Sequence, residues 1–149
     1  MPANADGRRE VGKTRDAGYQ VGIRRTLPLG IDDAWRLVTS PEGMRAWLGE
    51  GAAVELSPGS EYALADGPSG MVRVVEPGSH LRLTWLTEGW PRPSTIQVRV
   101  LPAARGSTIA LHQEHLPNAA ARTERRAHFA AALDALARLA GSAALSSAS

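Results

Sequence analysis

The chain has 149 residues, 43% hydrophobic and 21% charged, a balance that supports one globular core but not two, and its lack of cysteine excludes disulfides, thiolate metal sites and cysteine nucleophiles together. Lysine and arginine total 17, yet the formal charge is only +2; the arginines are scattered rather than gathered in a patch interleaved with aromatics, so no nucleic-acid partner is expected. No apolar run approaches the roughly 18 residues of a membrane span and the N-terminus has no signal-peptide core, so a cytoplasmic protein without a membrane partner is expected.

Residues 1–18 are polar and lack apolar periodicity, the pattern of a largely flexible tail. Within them Gly7, Gly12, Lys13 and Thr14 satisfy G-x-x-x-x-G-K-[ST], a loop that cradles phosphates when a strand precedes it and a helix follows. Only six residues precede Gly7, and the following RDAGYQVGI reads as entry to a strand. The match is therefore read as coincidence, and no cofactor is expected.

Tyr19, Val21, Ile23, Arg25 and Leu27 alternate with polar neighbours, which predicts a first strand. The period then changes. Asp32 suits the N-cap of a short helix that turns Trp35 and Val38 inward, and Ser40 caps a second, with Pro41 at its first position and Met44, Trp47 and Leu48 following before Gly49. Strands are predicted at 52–56, 61–64, 70–75, 80–86, 94–101 and 107–115. The connections are short, the longest loop being 87–93, and no crossover helix interrupts them, so the sheet is an antiparallel meander. A long helix is predicted over 118–141, with Asn118 as N-cap, Gly141 as stop, and Phe129, Leu133, Leu136 and Ala140 on one stripe. Residues 19–141 then make one α+β domain, a curved antiparallel sheet wrapped around the long helix, and 142–149 a flexible tail.

Strict alternation allows the register to be attempted. Pairing Val75 near His80 and carrying the ladder onward gives the rungs Val74/Leu81/Val100/Ile109, Val72/Leu83/Val98/Leu111 and Gly70/Trp85/Ile96/Gln113. The opposite face carries Arg73, Arg82, Thr84, Gln97, Arg99, Thr108 and His112, so it is the wet one. His115 is expected to continue the face of Gln113, opposite Arg122, Arg125 and Arg126 in the first turns of the long helix. The gap between sheet and helix is thus expected to be dry at one end and polar at the other. Its candidate lining residues are Trp85, Ile96, Val98, Leu111, Gln113, His115, Arg122, Arg126 and Phe129.

The segments RRTLPLGIDDAWRLVTSPEGMRAWLG at 24–49, VVEPGSHLRLTW at 74–85, STIALHQEHL at 107–116 and FAAALDALARL at 129–139 resemble the START/Bet v 1-like superfamily. The nearest branch is that of the Hsp90 ATPase activator C-terminal domain. The resemblance implies a helix-grip fold, often with an apolar cavity under the long helix. In that branch a histidine is common where this chain has Gln113, a glycine where it has His115, and a tryptophan where it has Phe129. Related domains include lipid and hormone binders, polyketide aromatase/cyclases and a co-chaperone domain, so three functions follow as expectations. The first is non-catalytic binding of a small, mostly apolar molecule, its acidic group at the Gln113/His115/Arg126 end. The second is a protein-interaction module using the exposed sheet face or the loop of Trp90. The third is a cyclase-like enzyme in which His115 or Gln113 orients a carbonyl.

No catalytic motif is evident. His112 and Glu114 share a strand face but lack a third ligand, so a solvated face is read rather than a metal site. Ser69 and Ser107 lie outside any G-x-S-x-G elbow. Asp32 and Asp33 read as capping residues.

Overall fold

The computed structural model of the chain describes residues 13–14, 18–51 and 54–148. Its elements in chain order are β1 (Lys13–Thr14), β2 (Gly18–Leu27), α1 (Ile31–Thr39), α2 (Pro41–Trp47), β3 (Glu61–Ala63), β4 (Ser69–Glu76), β5 (His80–Trp85), β6 (Ser94–Ala103), β7 (Gly106–Leu116) and α3 (Ala119–Ala148). The strands form one antiparallel sheet in the order β1-β2-β7-β6-β5-β4-β3. The first long strand therefore lies beside the last, and the two short helices between β2 and β3 pack at the sheet's end against α3. Among the described residues no helix is long and apolar enough to cross a membrane.

The helix boundaries follow from local chemistry. Ser40 accepts the Gly43 amide at 3.0 Å with Pro41 at the first helical position, and Asn118 Oδ1 accepts the Ala121 amide at 2.8 Å at the start of α3. Asp32 is not a cap: Gly30 occupies that position without a side-chain bond, and Asp32 and Asp33 lie in the first turn of α1, where their charge favours the helix dipole. Gly141 does not stop α3, which runs on to Ala148; a glycine inside a helix costs only about 1 kcal/mol against alanine. The strand expected at 52–56 is absent from residues 54–56, where Ser57 N turns back to Glu55 O at 3.0 Å; residues 52–53 lie outside the described residues. Of the phosphate-loop match, only Lys13 and Thr14 fall within them, paired with Tyr19 and Gly18.

The register differs from the expected one in two places, both with local causes. A bulge at Arg73 puts Val75 rather than Val74 opposite Leu81, while Val72 stays opposite Leu83. The β5–β6 hairpin closes two residues tighter than expected, pairing Trp85 with Ser94, Leu83 with Ile96 and Leu81 with Val98. The shift of two in the hairpin keeps every β5 and β6 side chain on its face, whereas the bulge is a shift of one and turns Val74, expected inside, to the wet face opposite Arg82. The β6–β7 ladder pairs Ile96 with Gln113, Val98 with Leu111 and Val100 with Ile109, as expected.

The core runs the length of the sheet–helix gap. Leu81, Leu83, Ile96, Val98, Ile109 and Leu111 from the sheet meet Phe129, Leu133 and Leu136 from α3, and Trp47 and Leu48 close the end. Trp47 Nε1 donates to Val38 O at 2.8 Å, satisfying the indole inside the apolar cluster. Tyr62 on β3 lies over Gly70 on β4 and donates its hydroxyl to Thr84 O on β5. A Cβ at Gly70 would collide with the Thr84 carbonyl and stand 2.6 Å from the Tyr62 hydroxyl, so only glycine fits there. Gly70→Ala is expected to cost about 1–3 kcal/mol through overpacking, read as a lower midpoint in chemical denaturation.

One residue breaks the alternation of β7. His115 has φ 66°, and the β2–β7 ladder shifts between Val21↔Gln113 and Tyr19↔Leu116. Two β7 residues, Glu114 and His115, thus oppose Gln20 alone, which is a β-bulge. A left-handed backbone costs a non-glycine residue roughly 1–2 kcal/mol. The glycine that the resemblance puts at this position fits the geometry, and His115→Gly is expected to raise stability by up to about 1 kcal/mol in equilibrium unfolding.

Candidate functional site

The polar end of the gap is built on one buried cation. Arg125 lies one helical turn before Phe129 on α3, and it is 6% exposed. Its guanidinium carbon sits 4.1 Å from the ring centroid of Trp85 and 5.1 Å from that of Phe129. Arg125 Nε donates to Gln113 Oε1 at 2.7 Å, Gln113 Nε2 donates to Ser94 Oγ at 2.8 Å, and Ser94 Oγ donates to Trp85 O at 2.6 Å. The relay begins at the cation and ends on the strand that carries the indole stacked against it. Its direction is forced, because the guanidinium offers only donors and the amide must present its oxygen.

Two donors in this cluster have no partner among the described residues. Arg125 Nη2 and Trp85 Nε1 are both buried and unbonded. No carboxylate of the described residues lies within ion-pair distance of Arg125. Burial lowers its pKa to about 10, with Glu124, Tyr62 and Asp66 opposing the shift, so the guanidinium remains charged at neutral pH. Burial pushes the Tyr62 phenol well above its ordinary value, and the charge of Arg125 counters part of that shift. Trp90, on the loop after β5, meets Trp85 edge-on with centroids 5.2 Å apart and is partly buried against the core.

The residues expected to line a cavity fall into three groups. Trp85, Gln113 and Phe129 meet around Arg125. Ile96, Val98, Leu111, Gln113 and Phe129 are 0% exposed; a void large enough for water would leave its lining accessible, so these side chains pack a filled centre. Arg122, Arg126 and His115 are elsewhere. Arg122 Nε bonds Gln20 O at 2.8 Å, Arg126 faces solvent, and the bulge takes His115 out of the alternation that would have placed it beside Gln113. The His115 side chain borders an open groove of about 230 Å³ with Gly18, Tyr19, Pro91 and Arg92, and its Nε2 lies 3.6 Å from Glu114 Oε2. His112 Nε2 engages Gln20 Oε1 at 3.0 Å on the outer face.

Arg125 was within the expected arginine cluster but not among the candidates, and Ser94 was missed. The helical period admits both Arg125 and Arg126 beneath Phe129. In the structure the burial of Ala132, seven residues after Arg125, puts the middle of the stripe on the Arg125 side; in the sequence Ala132 is one of three consecutive alanines and carries no such signal. Ser94 could be found only once the hairpin register was known.

A curved antiparallel sheet closed on a long C-terminal helix, with two short helices after its first long strand, makes this a helix-grip protein of the START/Bet v 1-like class. Residues 29–141 match the family model described as Activator of Hsp90 ATPase homolog 1-like protein, and the chain belongs to that family. The crystal structure of CalU16 from Micromonospora echinospora is 25% identical, with TM-score 0.70, covering 83% of this chain and 78% of that one. MLL2253 from Mesorhizobium loti is 20% identical, with TM-score 0.68, covering 82% and 96%. DynU16, a protein of the dynemicin biosynthetic locus, is 21% identical with TM-score 0.66, covering 80% of this chain but 46% of that one. Comparison with curated proteins gives no match.

Beside Arg125 on α3, His128 donates Nε2–H to Trp47 O at 2.8 Å, tying α3 to α2. Its pKa is lowered first by burial and then by the charge of Arg125; that of His112 is lowered first by burial. On acidification the unfolded chain therefore takes up these protons before the folded one does. Stability is expected to be level above about pH 7.5, to fall as the pH drops through the ordinary histidine pKa of 6.5, and to level off again below the folded-state values. His128→Gln should shrink that slope in urea midpoints measured from pH 8 to pH 5.

Proposed function

We propose that the protein binds a small, mostly apolar molecule without transforming it, and that the molecule's polar end lies at Trp85, Gln113 and Arg125. One observation carries this reading: the neighbouring buried donors Arg125 Nη2 and Trp85 Nε1 lack acceptors among the described residues. Each buried unsatisfied donor costs about 1–3 kcal/mol, and a single ligand acceptor placed between them offsets part of both. The helix-grip architecture supports the reading, since it places such a cluster between sheet and helix. The filled centre at Ile96, Val98, Leu111 and Phe129 directs the apolar body toward Trp90 and the 86–93 loop instead of the dry end.

A second reading, a protein-interaction module of the co-chaperone type, is favoured by a different observation. On the outer face of the sheet Arg24 and Arg99 both flank Ala110, and Arg82 lies one rung away opposite Gln97. The cyclase-like reading, in which His115 or Gln113 orients a carbonyl, is favoured by no specific observation: the Gln113 amide is committed to Arg125 and Ser94, and His115 lies at the bulge.

Native mass spectrometry of the purified chain against a library of apolar acids, ketones and alcohols tests the first reading. One-to-one adducts that change the tryptophan fluorescence are expected, the change being reduced in Trp90→Phe. No adduct across the library, with the protein folded, overturns it and leaves the interaction module.

A further inference from the structure

We infer that the group recognised at this site is a carboxylate, one oxygen on Arg125 Nη2 and the other on Trp85 Nε1, admitted when the Trp90 loop swings away. The inference rests on the small-molecule reading above and names its ligand class. A neutral carbonyl would supply an acceptor but no charge. The site already holds a cation with no ion-pair partner among the described residues, 6% exposed, whose one bonded acceptor among the described side chains, Gln113 Oε1, is neutral. A buried charge is tolerated when paired and fully hydrogen-bonded, and what is missing here is one negative charge together with acceptors for two donors. A carboxylate brings all of these in one planar group, with a charged acceptor oxygen for each of the two donors.

The neighbouring groups agree with that sign. Tyr62 stays a neutral phenol because burial raises its pKa, and its hydroxyl is committed to Thr84 O, so it does not supply the anion. Burial and the charge of Arg125 lower the pKa of His128, so at neutral pH it adds no second cation. Asp66 and Glu124 raise the pKa of Arg125 but make no ion pair with it, which leaves the ligand position free.

Access lies on the Trp90 side. Trp85 itself is 6% exposed, and the part of its surroundings supplied by a loop is the edge-on ring of Trp90. That loop leaves the sheet at Leu86, which exchanges two backbone bonds with Ser69 (3.0 and 2.8 Å), and its tip is turned on itself by Trp90 N to Thr87 O at 3.2 Å, with Gly89 at φ 91°. Rotation of this tip uncovers the indole edge without breaking the β5–β6 ladder. An aromatic or branched body on the ligand then takes the place of Trp90 against Trp85.

Calorimetry with three probes of one shape tests the class: 1-naphthoate, 1-naphthamide and 1-naphthylmethylammonium. The carboxylate is expected to bind at least about tenfold tighter than the amide, and the ammonium not measurably, as for a desolvated charge-assisted pair. Arg125→Met should bring naphthoate down to the amide's affinity, with Arg125→Lys in between because an ammonium keeps the charge but cannot bond Gln113 and the ligand from fixed planar positions. Should Arg125→Met fail to fold, Arg125→Lys and Trp85→Phe, the latter removing only the indole donor, read the same contacts. Amide binding as tight as naphthoate binding overturns the carboxylate while leaving the binder reading intact. If naphthoate does not bind although other molecules from the library do, the carboxylate is likewise overturned; if neither the probes nor the library binds, both readings fall.

Discussion

The buried guanidinium of Arg125 sets the terms for the polar half of this molecule. Removing such a charge from water costs several kcal/mol after relaxation, and the chain offsets that cost in three ways. Two aromatic faces, Trp85 and Phe129, lie within cation–π range. Gln113 supplies an oriented acceptor, and Ser94 fixes that orientation by receiving the other end of the amide. Because Ser94 in turn bonds the Trp85 carbonyl, one strand supplies both the ring that stacks on the cation and the acceptor that ends the relay. Removing any one member leaves another buried group unsatisfied, so these residues act as a unit rather than as separate contacts.

This unit explains the amide at position 113. A neutral imidazole could also accept from Arg125 on one nitrogen and donate to Ser94 with the other. Unlike an amide, however, it can be protonated, and a protonated ring would both repel the guanidinium and lose the acceptor that Arg125 Nε needs. Glutamine holds the acceptor toward Arg125 at every pH. The substitution away from the histidine that the resemblance implies is therefore consistent with a site whose single fixed charge is Arg125. The apolar half depends on different forces: Phe129, Leu133 and Leu136 bury against the sheet, while the exposed Arg25–Asp134 pair at 2.7 Å adds little, as surface ion pairs do.

Much of the fold was legible because it rests on periodicity. The alternation in 94–101 and 107–115 fixed the β6–β7 register as well as the faces, and the cap chemistry of Ser40-Pro41 and of Asn118 fixed two helix starts. What could not be read depended on counting across turns. Nothing in residues 86–93 states how tightly the hairpin closes, and the bulge at Arg73 leaves no mark in an otherwise regular run of valines. The site suffered more than the fold because a site depends on single residues. A register error of two left Trp85 on the right face but gave it Ile96 for a partner instead of Ser94, hiding the end of the relay. The bulge at His115 removed a residue whose parity had placed it in the cluster. Choosing between Arg125 and Arg126 needed the direction of one turn of helix, which the stripe alone does not give.

Membership in the family settles the architecture without choosing among its uses, since a helix-grip fold hosts binders, enzymes and interaction modules on one scaffold. The choice turns on which buried groups remain unsatisfied. A sheet–helix gap that had evolved only as a core would place hydrocarbon at the Arg125 position, where an alanine or leucine on the same stripe would remove the charge, the orphan donor at Nη2 and the need for an acceptor at Gln113. Buried charges replaced by well-packed apolar residues are often neutral or stabilising for the fold. The dry half of the same helix shows what that solution looks like: Phe129, Ala132, Leu133 and Leu136 fill it without a polar atom. The charge at Arg125 therefore contributes little that a core requires, and the proposed guest with an acceptor at its end is the reading that accounts for it.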